Sequence, residues 1–133
     1  MNRPGPNPHA FAEDWEFSQS IVAEGGLVFT SGQGGFGPDG EVLDPDDFEA
    51  QLRQAYANLA SVLEAAGASL DTVVKMTVYR ARVEDYDTFK RVRHEMFTPP
   101  YPASTALQGR MLFAGMLVEM DAVARVGERR SGV

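Results

Sequence analysis

The sequence predicts an α+β domain of order β-β-α-β-α-β-β, with both helices on one face of the sheet. Three observations predict it: a long apolar stripe at helical spacing, several short segments of alternating apolar residues, and a second striped segment closed by prolines. The 133 residues are 44% hydrophobic and 23% charged, a composition that suits one globular domain with a core of its own.

Residues 1–15 read as an irregular arm, because Pro4, Pro6 and Pro8 interrupt any periodicity. The domain proper is assigned to residues 16–126 and a flexible tail to 127–133. Phe17–Val22 and Leu27–Ser31 are the first two strands, joined by a hairpin at Glu24-Gly25-Gly26. Residues 46–66 form the clearest helix. Phe48, Leu52, Tyr56, Leu59 and Leu63 recur at helical spacing, and Ala55, Val62 and Ala66 widen the stripe. Asp46 with Glu49 matches a capping box, and Gly67 is the expected stop. Ser69–Tyr79 is apolar on both faces, as a covered strand would be. A second helix over 84–97 places Tyr86, Phe89, Val92, Met96 and Phe97 on one side, and the prolines at 99, 100 and 102 end it. Strands at about 104–112 and 117–125, with a turn near Ala114-Gly115, complete the chain. The helices are natural crossovers, so some strands should be parallel.

Bulk chemistry narrows the function. The net charge is −7 and the pI is near 4.7, so nucleic acid and anionic membrane are not expected partners. The chain has no cysteine, which excludes disulfides, thiolate catalysis and cysteine-ligated zinc. His9 and His94 are far apart and lack metal-ligand spacing, so a metal is not expected. No stretch approaches transmembrane length and the N-terminus has no apolar signal core, so a cytoplasmic protein is the expectation.

Gly32-Gln33-Gly34-Gly35-Phe36-Gly37 is a literal G-x-G-x-x-G. A dinucleotide site needs a helix N-terminus directly after such a loop. Here Pro38-Asp39-Gly40 supplies a turn instead, and no Lys-Ser/Thr pair closes a P-loop. Two readings remain: a loop leaving a strand, or a place at Ser31-Gly32 where backbone approaches a small ligand.

In Leu117–Ala124, Val118, Met120, Ala122 and Ala124 face one way. Leu117, Glu119, Asp121 and Val123 face the other. With regular strands, the second face also carries Leu27, Phe29, Val73 and Tyr79. So apolar a face is expected to be covered by other subunits. If it is covered, the carboxyl pKa values rise toward those of a general acid or base; if open, the acids simply solvate.

Several segments together resemble the Rid (YjgF, reactive intermediate deaminase) family. They are F-S-Q-S, G-G-L-V-F-T-S-G-Q, the block Gln51–Tyr79, D-Y-D-T-F, Y-P-A-S-T and V-E-M-D-A-V-A. The resemblance spans roughly residues 16–125. It implies a chorismate-mutase-like α+β fold and a homotrimer around a central β-barrel, with ligand clefts between subunits. It also implies cofactor-free hydrolysis of enamine or imine metabolites to 2-keto acids and ammonia. Glu119 matches the glutamate that works with the attacking water, and Ser31 and Gly32 match the loop beside the cleft. The family's P-A-R-S arginine holds the substrate carboxylate, but this chain reads Pro102-Ala103-Ser104-Thr105, with Ser104 at the arginine position. Phe17 stands for a tyrosine, and Lys90 for an asparagine on the second helix. Lys90 is then either a relocated cation or a surface lysine. Arg110 shares the parity of Ser104 but lies about 20 Å along the strand, too far to replace it. Two functions follow: a hydrolase whose substrate differs from simple 2-imino acids, with Ser104 or Thr105 hydrogen-bonding it, or a trimer that binds a metabolite without turnover. Asp121 shares the face of Glu119 without a family role.

Overall fold

The computed structural model describes residues 1–128, so the predicted tail lies outside the described residues from 129 onward. The strands are β1 (Arg3–Pro4), β2 (Ser20–Val22), β3 (Leu27–Thr30), β4 (Gln33–Gly34), β5 (Val73–Arg80), β6 (Ala103–Gln108) and β7 (Val118–Arg125). The helices are α1 (Phe48–Ala65) and α2 (Tyr86–Met96). The sheet order is β1-β2-β3-β7-β5-β6, and β4 also pairs with β7. β5 and β6 are parallel and joined by α2; every other pairing is antiparallel. β3 and β5 both run antiparallel to β7, so α1 also crosses between parallel strands.

Both helices cover the same sheet face. Val118, Met120, Ala122 and Ala124 of β7, with Met76 and Val78 of β5, pack against Leu52, Leu59 and Leu63 of α1 and Phe89 and Val92 of α2. The period-2 set of the strand and the 3.6-period set of the helices thus meet in one core.

Several boundaries differ from the sequence-based expectation. The N-cap of α1 is Asp47, which accepts from Ala50 N at 3.1 Å, while Asp46 takes a positive φ of 71°. Glu49 forms no capping box, because with Asp47 as the cap the third helical residue is Ala50; its carboxylate is held by Arg53 and Arg91 instead. That pairing pulls its pKa down to about 2. The arm is not irregular throughout: Arg3–Pro4 pair with Ile21 and Val22 at the sheet edge, where proline is tolerated, and Ala10–Ala12 form a 3-10 turn. The first strand shortens to Ser20–Val22. β6 stops at Gln108, so Arg110 lies beyond it. A register shift between Val73 and Lys75 turns Val73 inward and leaves Val74 exposed, so Val73 does not join the helix-distal face. Leu117 precedes β7 and is buried.

Leu59 is fully buried at the centre of this core. Leu59→Ala is expected to lower unfolding free energy by about 2–5 kcal/mol, measured by urea unfolding. An exposed leucine would lose less than about 1 kcal/mol.

Candidate functional site

β7 positions the two acids. Glu119 lies opposite Tyr79 on one side and Gly34 on the other, and Asp121 lies opposite Thr77. Both are half-buried on the helix-distal face. β3 and β4 pair along the same edge of β7, with Phe29 opposite Val123 and Gln33 opposite Met120. Thr30, Ser31 and Gly32 therefore face only Ala122 and Asp121. The extra residue makes a bulge that carries Gly32 onto Glu119. A Cβ at residue 32 would meet the Glu119 carboxylate, so any larger residue there would displace that side chain. At Gly35 a Cβ would run into the α1 backbone at Gln51, which cannot yield as a side chain can. These contacts explain the glycine-rich stretch, and α1 begins only at Phe48, too late to hold a phosphate there.

Buried amides hold the bulge in place. Gln51 donates to Gly115 O at 2.7 Å and accepts from Leu117 N at 2.8 Å, which ties the start of β7 to α1. Asn58, two turns on, donates to Gly34 O and Phe36 O at 2.9 Å each. Gln33 donates to Gln19 Oε1 at 2.9 Å and to Ser31 O at 3.3 Å. His9 meets Gln33 Oε1 at 2.9 Å, where an accepting oxygen requires the His9 proton on Nε2. The Ser31 hydroxyl donates to Ser18 O at 2.5 Å and its N–H to Gln19 O at 2.8 Å. Ser31 thus fixes the loop with both of its donors. Phe17, beside Ser18, is exposed and packs on Trp15 with ring centroids 5.5 Å apart.

Burial pushes the Glu119 carboxyl above the ordinary glutamate value, and the charge of Asp121 adds to the effect. Burial likewise raises Asp121, while Lys75 opposes it. Glu119 can accordingly take up or release a proton nearer neutrality than a solvated glutamate. Thr105 lies on this same face, and Lys75 Nζ donates to its hydroxyl at 2.8 Å.

Ser104 lies elsewhere. It pairs with Met76, whose side chain points at the helices, and with Lys90 of α2 it lines a cavity of about 590 Å³. The structure brings Ser104 and Lys90 together on the helix side. On the opposite face it brings Gly32 onto Glu119, with Ser31 fixing the loop, while Thr105 shares that face from β6, with β5 between it and β7. Among the described residues no group of three or more His, Asp or Glu side chains could hold a metal ion, and no helix is long and apolar enough to cross a membrane.

The family model for endoribonuclease L-PSP matches residues 8–126. The chain belongs to the Rid, or endoribonuclease L-PSP, family. This Rid chain is 33% identical over 111 residues to the bovine 2-iminobutanoate/2-iminopropanoate deaminase, covering 84% of this chain and 80% of that one. It is 34% identical over 123 residues to the Escherichia coli RutC family protein YjgH, covering 91% of each. The solved structure of RidA from a Psychrobacter species superposes with a TM-score of 0.82 at 33% identity, covering 93% of this chain and 99% of that one. The mixed α+β fold is the one this Rid chain shares with those structures.

The supports Gln19, Gln33, Gln51, Asn58 and His9 were not singled out from sequence. One signal was present: Gln51 and Asn58 stand seven residues apart on the apolar stripe of α1, where a polar side chain needs a buried partner.

A raised folded pKa means that the folded Rid chain holds the Glu119 proton more tightly than the unfolded chain does. Stability contributed by that group is present at acid pH and lost as pH rises through the folded value. Glu119→Gln is therefore expected to melt higher than the wild type at pH 8, with the gap closing at pH 4. Thermal unfolding at both pH values checks it, and a variant that melts lower at pH 8 would contradict the burial account.

Proposed function

We propose that this Rid protein hydrolyses an imine or enamine metabolite, without a cofactor, in a cleft completed by two copies of the chain. The observation that carries this is Glu119: a carboxyl of raised pKa seated against the bare backbone of Gly32. In the reaction, Glu119 removes a proton from water as the water oxygen bonds to the C=N carbon. That proton passes to nitrogen to give a carbinolamine, and as its C–N bond breaks the hydroxyl proton follows to nitrogen, so that a carbonyl compound and ammonia leave. The bovine relative named as an imine deaminase supports the reaction class.

The need for two copies follows from the sheet. One chain cannot present Glu119 and the Ser104–Lys90 group to one small molecule, because they lie on opposite faces. A homotrimer around a central β-barrel would join the Glu119 side of one subunit to the Ser104 side of the next. Unpartnered surface supports such packing. All six residues of β6 are exposed, and Leu27, Phe29 and Leu107 are 39%, 45% and 51% exposed on the helix-distal face. A small cytoplasmic metabolite is the partner this function implies. Ser104 supplies a neutral hydroxyl and Lys90 the cation, so the substrate would differ from simple 2-imino acids.

One observation favours the alternative, a trimer that binds without turnover. The hydroxyls of Ser31 and Thr105 are already engaged within the chain, which leaves fewer polar groups for a substrate.

Ammonia release from freshly generated 2-imino acids, small and bulky, separates the two. Hydrolysis is expected for at least one substrate, with Glu119→Gln lowering kcat by about 10²-fold or more at unchanged mass in solution. An equally active variant, or no acceleration over buffer across the series, would contradict the hydrolase.

A further inference from the structure

We propose that the cavity beneath Ser104 binds the ring of an aromatic carboxylic acid, with Lys90 pairing its carboxylate. As the identity of the substrate this rests on the function proposed above; as a binding site it stands on geometry alone.

At about 590 Å³ the cavity falls within the usual range for small-molecule sites, and it is far larger than a four-carbon acid needs. Its floor is apolar. Tyr56, Met76, Val78, Phe89 and Phe97 line it, and each is at most 8% exposed. The Tyr56 and Phe97 rings meet edge to face at 5.9 Å, and Tyr101 lines the cavity too, 59% exposed. Such ring edges and faces favour a flat apolar guest over a branched one. The phenol of Tyr56 stays neutral, since burial pushes its pKa up to about 12. It adds a hydroxyl to an otherwise apolar floor without adding charge.

The rim is basic although the chain carries a net charge of −7. Lys90, Arg91, Arg93 and His94 line the cavity against one acid, Asp87. Of the three lysine and arginine cations, two are already engaged. Arg91 is bound by Glu49, and the Arg93 guanidinium lies 5.1 Å from the centroid of the Phe89 ring. Lys90 forms no ion pair among the described residues, so it is the cation left for a ligand. An apolar floor with an unpaired ammonium at its edge complements an amphipathic anion. The small side chain of Ser104 leaves the mouth open on the β6 side.

The test is calorimetric titration with phenylpyruvate and, beside it, pyruvate, on wild type, Lys90→Ala and Ser104→Phe, with circular dichroism and melting temperature confirming that the variants fold. Phenylpyruvate is expected to saturate at least about tenfold tighter than pyruvate. Lys90→Ala should weaken it by about tenfold, and Ser104→Phe, which fills the mouth, should remove it. Equal affinity for the two acids, no binding of phenylpyruvate, or binding unaffected by Lys90→Ala would overturn the site. Tight phenylpyruvate binding without hydrolysis of any imine would sink the proposed reaction and leave this site standing. Rapid hydrolysis of small imines with no phenylpyruvate binding would do the reverse.

Discussion

The contact between the Glu119 carboxylate and the backbone of Gly32 organises this molecule. The half-buried carboxylate keeps its place because its neighbour has no side chain, and that neighbour must be brought to it. The bulge between β3 and β4 does the bringing, since Ser31 and Gly32 occupy the space that one residue would fill in a regular ladder. Asn58 on α1 takes up the Gly34 and Phe36 carbonyls, and Gln33, linked to His9 and Gln19, takes up that of Ser31. Gln51 ties the start of β7 to the same helix.

The same sheet that builds the acid's surroundings also divides the chemistry. Its helix side is closed by the core except at the β6 edge, where Ser104 and the basic face of α2 frame an open cavity. Its far side carries Glu119 and Asp121 among exposed apolar residues. The half-buried Glu119 and the cavity that could hold the rest of a substrate lie on different sides of the sheet. Under the proposed function, oligomer and active site become one question: the exposed apolar surface and the two halves of the proposed site lie on the same elements.

Much of this was legible in the sequence, and the parts that were not share a physical cause. The stripe from Phe48 to Leu63 and the alternation from Val118 to Ala124 are local periodicities, so the helix, the strand and the side on which Glu119 lies could be read directly. The resemblance to Rid proteins found the family from motifs spread along the chain. What escaped were features set by partners distant in sequence. Val73 turned inward because a bulge broke the period-2 count, and Asp47 capped α1 because Asp46 had taken a positive φ one residue earlier. His9 and Gln33 sit in segments whose local pattern reads as arm and loop, and only their mutual hydrogen bond shows what they support. The two faces of the sheet also separated Ser104 from Thr105, adjacent residues that a reading of the P-A-S-T stretch had treated as interchangeable.

The central claim, that one site draws Glu119 from one subunit and the Ser104–Lys90 wall from another, has a direct test. Glu119→Gln and Ser104→Phe chains, each expected and first verified to be inactive alone, are mixed under conditions that exchange subunits, and turnover of the substrate found for the wild type is measured. Shared sites predict recovery to about a quarter of wild-type activity, because random pairing rebuilds an intact site at about that frequency. A mixture as inactive as its parents, with subunit exchange verified by mass, would contradict a site shared between chains.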